Sequence, residues 1–225
     1  PGVEPVALAN PISADMAVMR TSLWAGLLST AIYNLNRQQS RVRIFEAGQC
    51  FVPNSDRSTS GLSQKMALAG LICGTRTPTG WTASKDKVDF YDIKGDLEEL
   101  LAHTGSPQQF TFAAAQHPAL HPGQSAEVLR NGERAGWVGQ LHPRLQAQMD
   151  ISTPVYLFQV DVDKIAESAL PVFAEVSKFP EVRRDLAFFV DTEIASADLI
   201  AEARKAAGEH LCDLKLFDVY HSKDV

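Results

Sequence analysis

Cysteine is scarce in this 225-residue chain: Cys50, Cys73 and Cys212 are far apart and odd in number. No Cys-x-x-Cys spacing occurs, which argues against a structural zinc site and against a disulfide framework. A reducing cytoplasm is the expected compartment. Long apolar runs are missing too. No stretch approaches the ~18 to 20 consecutive apolar residues of a membrane helix. Residues 1–10 have neither the basic start nor the apolar run of a signal peptide. No membrane partner is expected. A basic excess is also absent, with 21 Lys and Arg against 27 Asp and Glu and a net charge of −6. Bulk charge therefore gives no support to RNA binding, although local basic clusters can work inside an acidic protein. Neither a GxxxxGK[ST] phosphate loop nor a GxSxG elbow is present. The chain opens on Pro1 rather than Met, and it is read as a piece of a longer subunit.

What is there reads as mixed α and β structure. Pro5 and Pro11 oppose helix in an extended entry segment. A helix is expected from about Ser22 to Arg37, capped by Thr21 or Ser22. Leu23, Leu27, Leu28, Ala31, Ile32 and Leu35 form its apolar stripe, and Trp24 widens it. Arg41 to Ala47 alternates as a strand does, with Val42 and Ile44 on one side and Arg43 and Phe45 on the other. Met66 to Cys73 is a short apolar run, a buried strand. Phe90 to His103 reads as a helix with Asp89 as its cap and Gly105 past its end. Phe110 to Ala114 is a strand. Asn131-Gly132 between two apolar stretches signals a hairpin. A brief helix at Pro143 to Met149 and a strand at Val155 to Val162 follow.

A boundary falls near Glu167 to Lys178. Beyond it, strand Asp185–Val190, helix Ser196–Ala207 and strand Leu211–Tyr220 make one β-α-β unit, about half of a small α+β domain. Hairpins with intervening helices imply a layered α+β architecture.

Six strings in order resemble one family. They are NPISADMAVMRTSLWAGLL from Asn10 to Leu28, continuing to YNLNR at Tyr33 to Arg37; RVRIFEAG from Arg41; DFYDIKGDLE from Asp89; HPALHPGQSA from His117; GWVGQLHP from Gly136; and SKFPEVRRDLA from Ser177. Together they resemble the C-terminal portion of bacterial phenylalanyl-tRNA synthetase β subunits. The resemblance implies a class II synthetase-like antiparallel sheet with flanking helices over residues 1–170. Part of a ferredoxin-like anticodon-binding domain would follow over 171–225. It also implies a ligase that joins phenylalanine to its tRNA with ATP and Mg2+. That enzyme would be a heterotetramer of two α and two β chains, with the chemistry in the α subunit. This segment would then support assembly and bind tRNA(Phe), holding no ATP or Mg2+ itself.

The residues agree with a non-catalytic copy. In-line attack on ATP needs arginines aimed at the phosphates and carboxylates that hold magnesium. Here Arg43 and Glu46 are spaced one residue too far for an Arg-x-Glu clamp, so they should face opposite sides of their strand. Gly136 to Gly139 runs into Leu141-His142-Pro143 before any arginine. His117 and His121 lie four apart, but Pro118 and Pro122 oppose a continuous helix there, and no third metal ligand is evident. Asp96, Glu98 and Glu99 read as a solvated helix face.

No catalytic or metal residues are expected. Lys178, Phe179, Arg183 and Arg184 are the tRNA candidates, with Phe179 stacking on a base and the cations reaching phosphates. Leu23, Trp24, Leu27 and Arg37 are the subunit-interface candidates, on the first long helix. Two rivals stand beside this reading: a self-sufficient class II-like ligase or adenylating domain, and a pure oligomerisation module.

Overall fold

The computed structural model describes residues 4–54, 61–82, 84–167, 173, 178, 180 and 182–220. The chain divides into two compact units, Pro1–Phe173 and Ala174–Val225.

The first unit is built on six antiparallel strands: β1 Arg41–Pro53, β2 Leu62–Gly74, β3 Phe110–Ala114, β4 Leu120–Arg130, β5 Glu133–Leu141 and β6 Val155–Asp161. Their order across the sheet is β1-β2-β6-β5-β4-β3. Helix α1 (Trp24–Leu35) covers one face and α2 (Phe90–Ala102) the other, while α3 (Pro143–Gln148) and α4 (Val162–Ile165) are short.

Period-two alternation sorts the core residues between the two faces. On the central strand β6, Val155 and Leu157 join the α1 core, whereas Tyr156, Phe158 and Val160 join the α2 core. On β2 the residues toward α1 include Ala67, Ala69 and Cys73, small enough to let the helix close on the sheet. Because both faces are covered, the central strands read as nearly continuous apolar runs.

Local chemistry sets several ends. Asp89 accepts hydrogen bonds from the N–H groups of Tyr91 and Asp92, and the Asp92 carboxylate accepts from the Asp89 N–H at 2.8 Å. That reciprocal cap starts α2. Asn131 and Gly132 sit at φ 51° and 84°, which suits the tight turn joining β4 to β5. Helix α1 is shorter than its periodicity suggests. Ser22 Oγ accepts from the Trp24 N–H at 3.2 Å, but the Leu23 N–H turns elsewhere for its partner.

In the second unit α5 spans Ser196–Ala207, with Gly208 closing it at φ 62°. Asp185–Val190 and Leu211–Tyr220 were expected as strands. No ladder joins them among the described residues, and neither is assigned strand structure. A strand is stabilised by its neighbour, and alternation alone cannot supply one. Leu186, Phe188, Phe189, Leu216 and Phe217 are accordingly exposed.

Candidate functional site

Arg43 and Glu46 leave β1 on opposite sides. The Arg43 guanidinium forms a two-point pair with Asp96 of α2, its Nε donating to Oδ2 at 3.1 Å. Glu46 pairs with Arg20, which precedes α1, and Arg20 Nε also donates to the Gln49 carbonyl at 2.8 Å. Each charge is neutralised by a partner on a different face of the sheet. These residues do not fit a phosphate clamp. Asp96, read from the sequence as solvated, is thus the anchor of Arg43. Glu98 pairs with Lys94, and Glu99 lies 3.9 Å from His103.

The glycines of β5 have a packing role. A Cβ on Gly136 would lie 2.3 Å from the Gln159 carbonyl oxygen, and one on Gly139 would lie 2.7 Å from that of Gln124.

Where α1 begins, the sheet face is filled by side chains. Gln159 takes the α1 side of β6, where Oε1 accepts from Ser22 Oγ at 2.8 Å and from the Leu23 N–H at 3.0 Å. It caps, from across the fold, a helix that has no side-chain cap of its own at Leu23. Trp24 Nε1 donates to the Phe158 carbonyl at 3.0 Å. His117 stands between two indoles, 5.3 Å from Trp24 and 4.9 Å from Trp137 by ring centroids. Its Nδ1 accepts from the Ala119 N–H, and that of His121 accepts from the Gly123 N–H. Both imidazoles therefore serve local turns. No cluster of three or more metal-ligating side chains occurs among the described residues. Burial pushes the Cys73 thiol up to about 11, so it is no nucleophile at neutral pH.

An apolar cleft of about 340 Å³ lies between β1, β2 and α2, bordered by Phe45, Leu68, Leu100 and Phe158. The two charged residues on its wall, Arg43 and Asp96, are engaged with each other.

Comparison with known families decides the kinship. The model described as the phenylalanyl tRNA synthetase beta chain CLM domain matches residues 1–162. The chain belongs to the phenylalanyl-tRNA synthetase β-chain family. A second model, the ferredoxin-fold anticodon binding domain, matches residues 177–225. Phenylalanine–tRNA ligase β subunits of Pseudomonas fluorescens and Pseudomonas syringae pv. tomato are 50% and 49% identical over the whole chain, and that of Hahella chejuensis is 48% identical. The chain spans 28% of the length of each. A pyrrolysyl tRNA synthetase of Desulfitobacterium hafniense superposes with a TM-score of 0.47 at 16% identity, over 69% of this chain and 51% of that one.

The residues expected to act in this β-chain family member fall into distinct settings. Leu23, Trp24 and Leu27, expected at a subunit interface, are 1%, 9% and 4% exposed and are spent on the chain's own core. A helical stripe packs on the nearest apolar surface, and here that surface is the sheet. Arg37 is exposed, its guanidinium 3.3 Å above the Tyr33 ring. In the second unit Lys178, Arg183 and Arg184 are exposed. Phe179 lies outside the described residues. Gln159 belongs to no motif and was not anticipated. Its signal was a polar residue inside the run Val155 to Val160.

The setting of His117 lowers its pKa, chiefly through burial, with the charge of Arg134 a smaller contribution. An ordinary histidine titrates near 6.5. Between the lower folded value and ~6.5, the unfolded chain holds a proton that the folded chain does not, so stability is lost as pH falls through that window. The melting temperature should drop between pH 7.5 and pH 5.5, and the drop should shrink in His117→Asn, whose Oδ1 can still accept from Ala119. Equal drops in both proteins would assign the effect to other groups.

Proposed function

We propose that this chain is the part of a phenylalanine–tRNA ligase β subunit that supports assembly and docks tRNA without carrying out chemistry. The sheet of residues 1–170 is a class II synthetase-like copy, and residues 171–225 belong to a ferredoxin-like anticodon-binding domain. The observation that carries the reading is the fate of Arg43 and Glu46. Pairing each with its own partner on opposite faces keeps these two from forming an arginine–carboxylate clamp for ATP and Mg2+. The holoenzyme uses both, in the α subunit of a cytoplasmic α2β2 assembly.

The outer face of α1, with Tyr33 and Arg37, meets the partner, while Leu23, Trp24 and Leu27 hold that helix in place. Lys178, Phe179, Arg183 and Arg184 face tRNA(Phe), the cations toward phosphates and the ring toward a base.

The test is aminoacylation with the full-length β subunit and the α subunit, compared with this chain alone. Charging is expected only when both subunits are present. ATP–pyrophosphate exchange by this chain alone would overturn the non-catalytic reading. Charging that ignores loss of residues 171–225 would favour a purely oligomeric role.

A further inference from the structure

We infer that Arg130 is a positioning residue that ties down residues 164–167, late in the first unit. Arg130 ends β4, beside the Asn131-Gly132 turn, and its side chain is only 10% exposed. Its Nε donates to Gln109 Oε1 at 2.9 Å. Its two terminal nitrogens donate to main-chain carbonyls on another segment, Nη1 to Lys164 at 2.8 Å and Nη2 to Glu167 at 2.7 Å. The Glu167 carboxylate adds an ion pair at 3.5 Å. Lys164 reciprocates, Nζ donating to the Arg134 carbonyl at 2.8 Å.

The segment so held cannot hold itself. Helix α4 has four residues, with Ile165 its one buried side chain. A helix that short does not persist on its own in water, and its last carbonyls have no partners within the helix. The planar guanidinium, with donors in fixed directions, can take two carbonyls and an amide oxygen at once, whereas an ammonium presents a single point. Arg130 is thus a cap supplied from a different strand.

The consequence rests on the tRNA-docking reading of the second unit. Nine residues lie between Glu167 and Ser177, where the anticodon-binding match begins. Releasing residues 162–167 frees six residues that the first unit otherwise holds. At ~3.4 Å per extended residue this adds up to about 20 Å of reach. A less firmly held chain lowers the effective concentration at which the matched stretch meets tRNA, so docking should weaken about two-fold.

Hydrogen exchange on the full chain and steady-state kinetics of the assembled ligase test this together. In Arg130→Ala the amides of residues 163–167 should exchange about ten-fold faster, with β2 and β6 unchanged. KM for tRNA should rise about two-fold with kcat and ATP–pyrophosphate exchange unmoved. Arg130→Lys should recover part of both effects. Unchanged exchange at 163–167, or faster exchange throughout the sheet, would overturn the inference. The variant Arg183→Glu/Arg184→Glu separates the two readings. If it raises KM for tRNA and Arg130→Ala does not, only the positioning role fails. If neither does, the tRNA-docking reading of the second unit falls as well.

Discussion

Arg183→Glu combined with Arg184→Glu is expected to raise KM for tRNA ten-fold or more, while amino-acid-dependent ATP–pyrophosphate exchange stays at the wild-type rate. Both side chains are exposed at the start of the second unit, within the stretch matched by the anticodon-binding family. A cation that neutralises a phosphate releases condensed counterion, and each such contact adds roughly 0.7 to 0.9 to the slope of log affinity against log salt. Reversal removes two contacts and adds two like charges facing the backbone. The salt slope of tRNA binding should therefore flatten by ~1.4 to 1.8, a signature that a folding defect would not produce. Exchange requires no anticodon contact, so it serves as the internal control. An unaltered KM with an unaltered slope would remove these arginines from the tRNA surface.

Gly136→Val should be the most damaging small substitution in the sheet. A Cβ at this position would lie 2.3 Å from the Gln159 carbonyl oxygen and 2.8 Å from Val160 Cα. These are backbone atoms of the neighbouring strand, so no rotamer change relieves the clash. The register between β4 and β5 shifts beside it, with Val128 opposite Gly136 and Leu129 opposite Arg134. Forcing β5 and β6 apart at the centre of the sheet should cost about 3 to 5 kcal/mol. For a chain of this size that means a fall in melting temperature of ~10 °C or more. Gly95→Ala is the contrast: its Cβ meets nothing within 4 Å, and Ala in a helix interior gains about 0.5 to 1 kcal/mol over Gly. Thermal denaturation of both variants checks the pair. A Gly136→Val protein that melts with wild type would mean that the two strands are not packed as described.

Features with a local signal were readable from the chain. The Asp89 cap and α2 lie where the periodicity put them, because capping and helical spacing are written within four residues. The same holds for the Asn131-Gly132 turn, whose φ values only a few residue types tolerate. Strand lengths were less legible: β1 runs to Pro53 and β2 starts at Leu62, since ladder bonds extend a strand past the point where its alternation weakens. Residues 185–190 and 211–220 of the second unit carry strand-like sequence, yet pairing depends on a neighbour that alternation does not name.

By itself, the sequence determined the family, the approximate places of the longer helices and of the Asn131-Gly132 turn, and the opposed directions of Arg43 and Glu46. Each of these follows from short-range periodicity or from a run of matching residues. Only the tertiary structure decided which partners those charges meet. It also decided that the α1 stripe is spent on the chain's own sheet, that Gln159 caps a helix 136 positions away and that Arg130 holds residues 34 and 37 positions downstream. The physical reason is that a period of two tells which face a side chain takes. What stands opposite that face is set by strand order and by the closing of helices over the sheet.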